Sequence, residues 1–132
     1  MAYRSKIIKE SVEVIVSAPD QIFKQSFEVD KHAGKILGIS LISDYDELLY
    51  YRGSQKIKIN EMEVFPEGYE SKLLMQGLNV SVNERIIKLG EDILPGNRKV
   101  EIDYKDTTHG SAPFTPYKVK LYVYSEVIDN QP

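Results

Sequence analysis

The chain has 132 residues and a net charge of −3, from 17 basic and 20 acidic residues interleaved along its length. It contains no cysteine, which excludes disulfide scaffolds, thiol nucleophiles and cysteine-based zinc or iron–sulfur sites. No apolar run approaches the about 20 residues that a membrane span needs. No basic block marks a nucleic-acid surface, so nucleic acid is not an expected partner.

This length suits a single domain spanning residues 1–132. The first residues alternate with charged ones instead of forming an apolar run, so no secretory signal is expected. We therefore expect a cytoplasmic protein, or a virion protein if the gene belongs to a phage.

Alternation of apolar and polar residues predicts strands along most of the chain. The first strand carries Val12, Val14 and Val16 on one face and ends before Pro19, which has no N–H to donate. Ile15 interrupts the polar face of this strand and is expected to cover a neighbouring element. Further strands are predicted at 21–30, at 35–43 as a central strand covered on both faces, and at 83–89.

The middle of the chain predicts a hairpin and one helical turn. The hairpin spans 55–65 with a tight turn at Asn60-Glu61, which lacks the glycine that a type I′ turn prefers. Pro66-Glu67-Gly68 is predicted to stop its second strand. Residues 44–51 predict a helical turn capped by Ser43, and 70–76 fit either helix or strand.

The strands at 98–106 and 117–128 show the clearest alternation. On the last strand we expect one face in the core, formed by Tyr117, Val119, Leu121 and Val123. The opposite face then carries Lys118, Lys120, Tyr122 and Tyr124. The loop 107–116 between these two strands is longer than a hairpin needs, and 129–132 is predicted to be a flexible tail.

About eight closely spaced strands with at most one or two short helical turns predict the fold class. It is all-β, an antiparallel, jelly-roll-like β-sandwich in one domain. A closed barrel is the alternative.

No catalytic or metal-binding motif stands out. His32 and His109 lie in polar turns, without a partner at metal-ligand spacing or a Gly-x-Ser-x-Gly elbow. The acidic stretch 44–47 lacks the spacing of a calcium loop and favours a surface turn. The glutamates between 61 and 70 are expected on the solvated face of the hairpin. We therefore expect no cofactor, no metal and no enzymatic activity.

Tyrosine is the most informative residue type, with nine copies against four phenylalanines and no tryptophan. Its ring is apolar while its hydroxyl stays hydrated, which suits a protein interface or a sugar. Phe114 lies between Pro113 and Pro116, and either anchors in a neighbouring subunit or covers its own core. The interface candidates are Tyr122, Tyr124, Lys118, Lys120, Phe114, Tyr50 and Tyr51.

The stretches 43–53 (SDYDELLYYRG) and 56–66 (KIKINEMEVFP), with the regular final strand, resemble small β-sandwich virion proteins of bacteriophages. These serve as capsid accessories or tail components. The resemblance lies in size, absence of cysteine, strand pattern and residue usage. It implies a jelly-roll-like subunit that works by assembly rather than by catalysis.

Three functions are compatible with these features. The first is a non-enzymatic assembly subunit, a homo-oligomer whose partners are copies of itself or other structural proteins. The second is a carbohydrate- or ligand-binding module with a tyrosine-bearing concave surface. The third is a small hydrolase or isomerase whose loop carboxylates or histidines converge in a pocket.

Overall fold

A computed structural model describes residues 2–71, 87–93 and 96–131. Eight strands and one short helix follow one another in these residues. Their bounds are β1 (Ala2–Val16), β2 (Ile22–Glu28), β3 (Ala33–Ser43), α1 (Asp46–Arg52), β4 (Gly53–Ile59), β5 (Met62–Glu70), β6 (Ile87–Ile93), β7 (Lys99–Asp106) and β8 (Tyr117–Gln131). Within the described ranges, no helix is long and apolar enough to cross a membrane.

The strands form two four-stranded sheets, sheet A in the order β1-β8-β3-β6 and sheet B in the order β2-β7-β4-β5. All neighbouring strands are antiparallel, and the pairing is nested: β1 with β8, β2 with β7, β3 with β6 and β4 with β5. A long hairpin folded over on itself in this way is a jelly roll. The predicted all-β, jelly-roll-like sandwich is confirmed, because the described strands form two separate sheets and not a closed barrel.

The core lies between the sheets and is built from alternate residues of each strand. The four core residues predicted on β8 are at most 1% exposed. They face a fully buried row from sheet B that contains Ile57, Ile59, Val100, Ile102 and Tyr104. Each such side chain contributes about 1.5–3 kcal/mol by leaving water, so a slip of one residue is strongly opposed.

β3 is an inner strand of sheet A, as its apolar sequence predicts. Its outer face is covered only in part: Ser40 is buried there, whereas Ile42 is 44% exposed. The strand predicted at 83–89 is described only from Ile87, where β6 begins. Residues 83–86, and 72–76 of the ambiguous stretch 70–76, lie outside the described residues.

Three predicted ends of strands are wrong. The strand predicted to end at Leu89 continues to Ile93. β5 continues through Pro66 and Gly68 to Glu70, because an outer strand tolerates a missing N–H and a register shift against β4 absorbs the irregularity. Residues 129–131, predicted as a tail, pair with β1, where Ala2 lies opposite Gln131. The sequence of residues 129–131 is polar and shows no strand pattern. These residues form a strand because β1 is long enough to pair with them.

The helical turn predicted at 44–51 is α1, but Ser43 does not cap it. The N-cap residue is Tyr45, which makes no side-chain capping bond. Ser43 Oγ accepts a hydrogen bond from the Tyr45 backbone N–H (3.1 Å) and donates one to the carbonyl of Lys118 (2.8 Å). Ser43 therefore ties the start of the helix to β8.

The tight turn predicted at Asn60-Glu61 is confirmed between β4 and β5. Both residues have positive φ, 53° and 62°, the pattern of a type I′ turn. Asn60 is held there by its Oδ1, which accepts from the backbone N–H of Asn97 (3.0 Å). The side chain of Glu61 makes no comparable hydrogen bond among the described residues. The energetic cost of its left-handed backbone is therefore not offset by a local contact.

Candidate interaction surface

The sandwich has two different ends. One, the helix end, gathers α1, the β1–β2 connection and the loop 107–116. Thr107 N–H donates there to the Arg52 carbonyl (2.9 Å), and Thr108 N–H to Asp20 Oδ1 (2.6 Å). The other, the turn end, gathers the β2–β3 connection, the Asn60-Glu61 turn and the residues before β7.

A buried ion pair anchors the helix end. Arg52 closes α1 and Asp106 closes β7, and their side chains are 2% and 0% exposed. The guanidinium makes two hydrogen bonds to the carboxylate, Nε to Oδ1 (3.0 Å) and Nη2 to Oδ2 (2.8 Å), and Nη1 donates to the carbonyl of Ala112 (2.9 Å). This two-point geometry fixes helix, strand and loop to one another.

Two tyrosines extend this network into the core. The Tyr117 hydroxyl lies 2.6 Å from Asp106 Oδ1 and must donate to it, because the ionised carboxylate has no proton. The Tyr104 hydroxyl, 2.8 Å from that of Tyr117, therefore donates to the Tyr117 oxygen. Burial raises the pKa of both tyrosines above the ordinary value. Burial also opposes the charge on Asp106, but hydrogen bonds from Arg52 and Tyr117 outweigh it and hold its pKa low.

Three exposed tyrosines stand on this fixed base. α1 turns Leu48 and Leu49 into the core and leaves Tyr50 and Tyr51 at 46% and 43% exposure. Tyr45, just before the helix, is 50% exposed. The rings of Tyr50 and Tyr51 meet edge-on with centroids 4.9 Å apart. An aromatic group that is already ordered loses little conformational entropy on binding, which favours an interface.

The loop 107–116 completes this surface. His109 stacks on Tyr51, with ring centroids 5.0 Å apart, and its Nδ1 accepts from the backbone N–H of Ser111 (3.0 Å). Phe114 is half-buried and packs against the core, its ring 5.3 Å from the guanidinium carbon of Arg52. Of the two alternatives for Phe114, the structure therefore favours covering its own core. Tyr45, Tyr50, Tyr51 and His109 are all exposed at the helix end, and we call these four residues the tyrosine patch.

The remaining interface candidates lie elsewhere, on the outer face of sheet A. Lys118 is exposed and 3.8 Å from Glu13, while Lys120 and Tyr122 are half-buried. Tyr124 is only 6% exposed, which corrects the expected exposed pair. It lies opposite Gly38 in the register of β3 and β8, and its hydroxyl meets Ser40 Oγ at 3.1 Å.

The histidines do not share a site. His32 lies at the turn end, where its backbone N–H and Nδ1 contact Asp30 Oδ1 at 2.7 and 3.2 Å, and His109 lies at the helix end. The described ranges contain no group of three or more histidine or acidic side chains placed to hold a metal. Asp44 in the acidic stretch instead accepts from the backbone N–H of Lys118 (2.8 Å).

Sheet B carries a groove of about 390 Å³ on its outer face. On the central strand, Asp103 lies opposite Lys24 on one side and Lys56 on the other, and Glu101 opposite Ser26 and Lys58. No aromatic side chain lines this groove within the described part of the chain. A sugar-binding module stacks its ligand on aromatic rings, so the carbohydrate alternative gains nothing from the groove.

The buried Arg52–Asp106 pair was missed in the sequence, although a signal for it exists. Arg52 follows Leu48 by four residues, which puts both on one helix face. Asp106 shares the parity of Val100, Ile102 and Tyr104, which puts it on the core face of β7. A positive and a negative side chain on two core faces predict a buried pair. Tyr45 was also missed as a member of the exposed aromatic set.

No protein-family model matches the sequence, and no curated protein matches it. Among solved structures, the chain is similar to one from the acidic stable capsid structure of Helicobacter pylori bacteriophage KHP30. The match has a TM-score of 0.35 and 12% sequence identity, and covers 94% of this chain and 100% of that chain. A match at this level is a weak neighbour and carries no conclusion about this chain.

Proposed function

We propose that this protein is a non-enzymatic assembly subunit that acts through contacts with other proteins, and that it is a component of a virion. The observation that carries the proposal is the tyrosine patch, three tyrosines at 43–50% exposure on a base fixed by a buried ion pair. Exposed apolar groups cost solubility, so their presence on an ordered surface favours a partner.

Two further points support the virion part of the proposal. Jelly rolls are common among viral capsid domains, although lectins and cupins share the fold, so this support is by analogy. The sequence also resembles small phage virion proteins in its strand pattern and residue usage.

The test is incorporation into particles. Particles are purified from the virus that carries the gene and analysed by mass spectrometry. Peptides of the wild-type protein are expected in them. Replacing Tyr50 and Tyr51 together by alanine should lower its amount in particles about tenfold or more, because two central aromatic contacts are typical hot spots. Folding of the variant is checked by thermal denaturation.

Met62→Ala is the matched control. Met62 is 52% exposed, as much as the tyrosines, but lies at the turn end. It should enter particles like the wild type. Absence of the wild-type protein from particles, together with a strictly monomeric mass at its highest soluble concentration, would contradict the proposal.

A further inference from the structure

The outer edge of β1 has no partner in the described part of the chain. β1 is the end strand of sheet A, and all of its ladder pairs are with β8. It has 15 residues, a length of about 50 Å. Natural proteins keep edge strands short or blocked, because a long free edge is a template for another strand. The edge of β1 is therefore suited to binding.

The outward side chains of β1 are arranged symmetrically. Because Val12, Val14 and Val16 face the core, the residues between them face outward. Two of these residues, Ile7 and Ile15, are 53% and 58% exposed. Ile15 was expected to cover a neighbouring element, and none covers it among the described residues. Between residues 7 and 15, the outward-facing side chains are, in order, Ile7, Lys9, Ser11, Glu13 and Ile15.

We propose that β1 pairs antiparallel with β1 of a second copy of this chain, around a two-fold axis at Ser11. In this register Ile7 lies opposite Ile15 of the second copy, and Lys9 lies opposite Glu13. Each of these contacts occurs twice. Opposite charges and apolar pairs directly across a sheet are the combinations that stabilise it.

The register also satisfies the backbone. In an edge strand, every second residue points its N–H and C=O toward the free side, in the plane of the sheet. Two edge strands can therefore pair only if the residues opposite each other are both odd-numbered or both even-numbered. The Ser11 register meets this condition at every position. A shift of two residues keeps the parity but places Ile7 opposite Glu13, or Lys9 opposite Ile15. The side chains therefore select one register among those that the backbone permits.

The contact joins two sandwiches into one continuous sheet of eight strands, β6-β3-β8-β1-β1-β8-β3-β6. Because the same surface serves both copies, the contact closes on itself and yields a dimer instead of a filament. The tyrosine patch lies on other elements and stays open for a different partner. This inference rests on the proposed assembly function and names a second copy as one partner of the subunit.

The chain has no cysteine, so one introduced cysteine is a unique probe. Ser11→Cys places two thiols opposite each other on the proposed axis, at a distance that a disulfide can span. Under mild oxidation it should form a covalent dimer at a rate about tenfold or more above that of Ser26→Cys. Ser26 is also exposed but lies on the outer face of sheet B. Equal rates for the two variants would overturn the proposal.

Charge reversal tests the register. Lys9→Glu alone or Glu13→Lys alone creates two like-charge contacts and should weaken the dimer about tenfold in native mass or sedimentation measurements. The double variant restores opposite charges and should recover most of the loss. Glu28→Lys, an equivalent reversal on the edge strand β2, should have no effect.

The outcomes separate this inference from the proposed function. A protein that enters particles through the tyrosine patch, but shows neither the Ser11 cross-link nor the charge-reversal pattern, retains the function and loses the dimer. A protein that shows both β1 signatures but never enters particles retains the dimer and loses the virion role.

Discussion

The two ends of the sandwich hold their loops by different means. At the helix end, the charged pair Arg52–Asp106 is buried, and its hydrogen bonds are 2.8–3.0 Å long. At the turn end, Arg98 donates to the carbonyl of Asp30 (2.8 Å) in contact with solvent. Three non-glycine residues there have positive φ, Asn60, Glu61 and Arg98, against one at the helix end, Asp20. The end that displays the tyrosine patch is thus the one held by the buried ion pair. A binding surface needs a rigid base of this kind more than a connecting turn does.

The largest expected difference between the ends comes from Asp106→Asn. This change leaves the Arg52 charge buried without its counter-charge, which costs about 3–5 kcal/mol of unfolding free energy. Urea denaturation followed by circular dichroism measures the loss. The matched change at the other end, Asp30→Asn, removes the charge of an exposed carboxylate that accepts from His32 N–H and should cost far less. Similar losses at both ends would mean that the buried pair is not the main support of α1.

Alkaline pH tests the tyrosine part of the same network. Tyr104 and Tyr117 have raised pKa values in the fold, against an ordinary value of 10.0. Their contribution to the unfolding free energy is therefore complete below pH 10. It falls above pH 10, because the unfolded chain releases these protons more readily than the folded chain does. The unfolding free energy should fall by up to about 1.4 kcal/mol per pH unit for each of the two groups.

Tyr117→Phe isolates this effect. It should lower stability at neutral pH by about 1–2 kcal/mol through loss of the bond to Asp106, and flatten the alkaline decline. Denaturation curves at several pH values between neutral and strongly alkaline give both quantities. An unchanged alkaline slope in this variant would contradict a raised pKa for Tyr117.

The smallest expected effect is a gain at the turn end. Glu61→Gly removes the cost of a side chain in the left-handed region, offset in part by the greater freedom of glycine in the unfolded chain. The net gain is roughly 0.5 kcal/mol. Differential scanning calorimetry should show a higher melting temperature for Glu61→Gly. Asn60→Gly should show no such increase, because it removes the hydrogen bond between the Asn60 side chain and the Asn97 N–H. A lower melting temperature for Glu61→Gly would show that the Glu61 side chain stabilises the turn.

The sequence predicts the strands well where burial imposes a strict alternation, as on β7 and the core half of β8. It fails where a partner strand decides the structure. Residues 129–131 have no alternating pattern and are nevertheless paired with β1. Pro66 looks like a stop, but the outer position of β5 removes the penalty. Tyr124 is buried beside Ser40 of β3, a contact across strands that no local pattern contains.

The same distinction applies to the surface. Tyr50 and Tyr51 could be selected from composition, but their fixed base could not, because it joins residues 54 positions apart in the chain. The free edge of β1 was also out of reach, because which strand lies at the edge follows from the sheet order and not from the strand's own sequence. The one sequence signal of this edge was Ile15, an apolar residue that interrupts the polar face of β1.

The nested pairing also has a kinetic consequence. Among the described strands, β4 and β5 are the pair joined by a two-residue turn, whereas β1 must wait for β8, a partner more than a hundred residues further along the chain. Loop-closure entropy therefore favours a nucleus at the Asn60-Glu61 hairpin, with pairing spreading outward and β1 last. During synthesis β1 emerges long before β8, so this long unpaired strand is the segment most exposed to pairing with a premature or foreign strand.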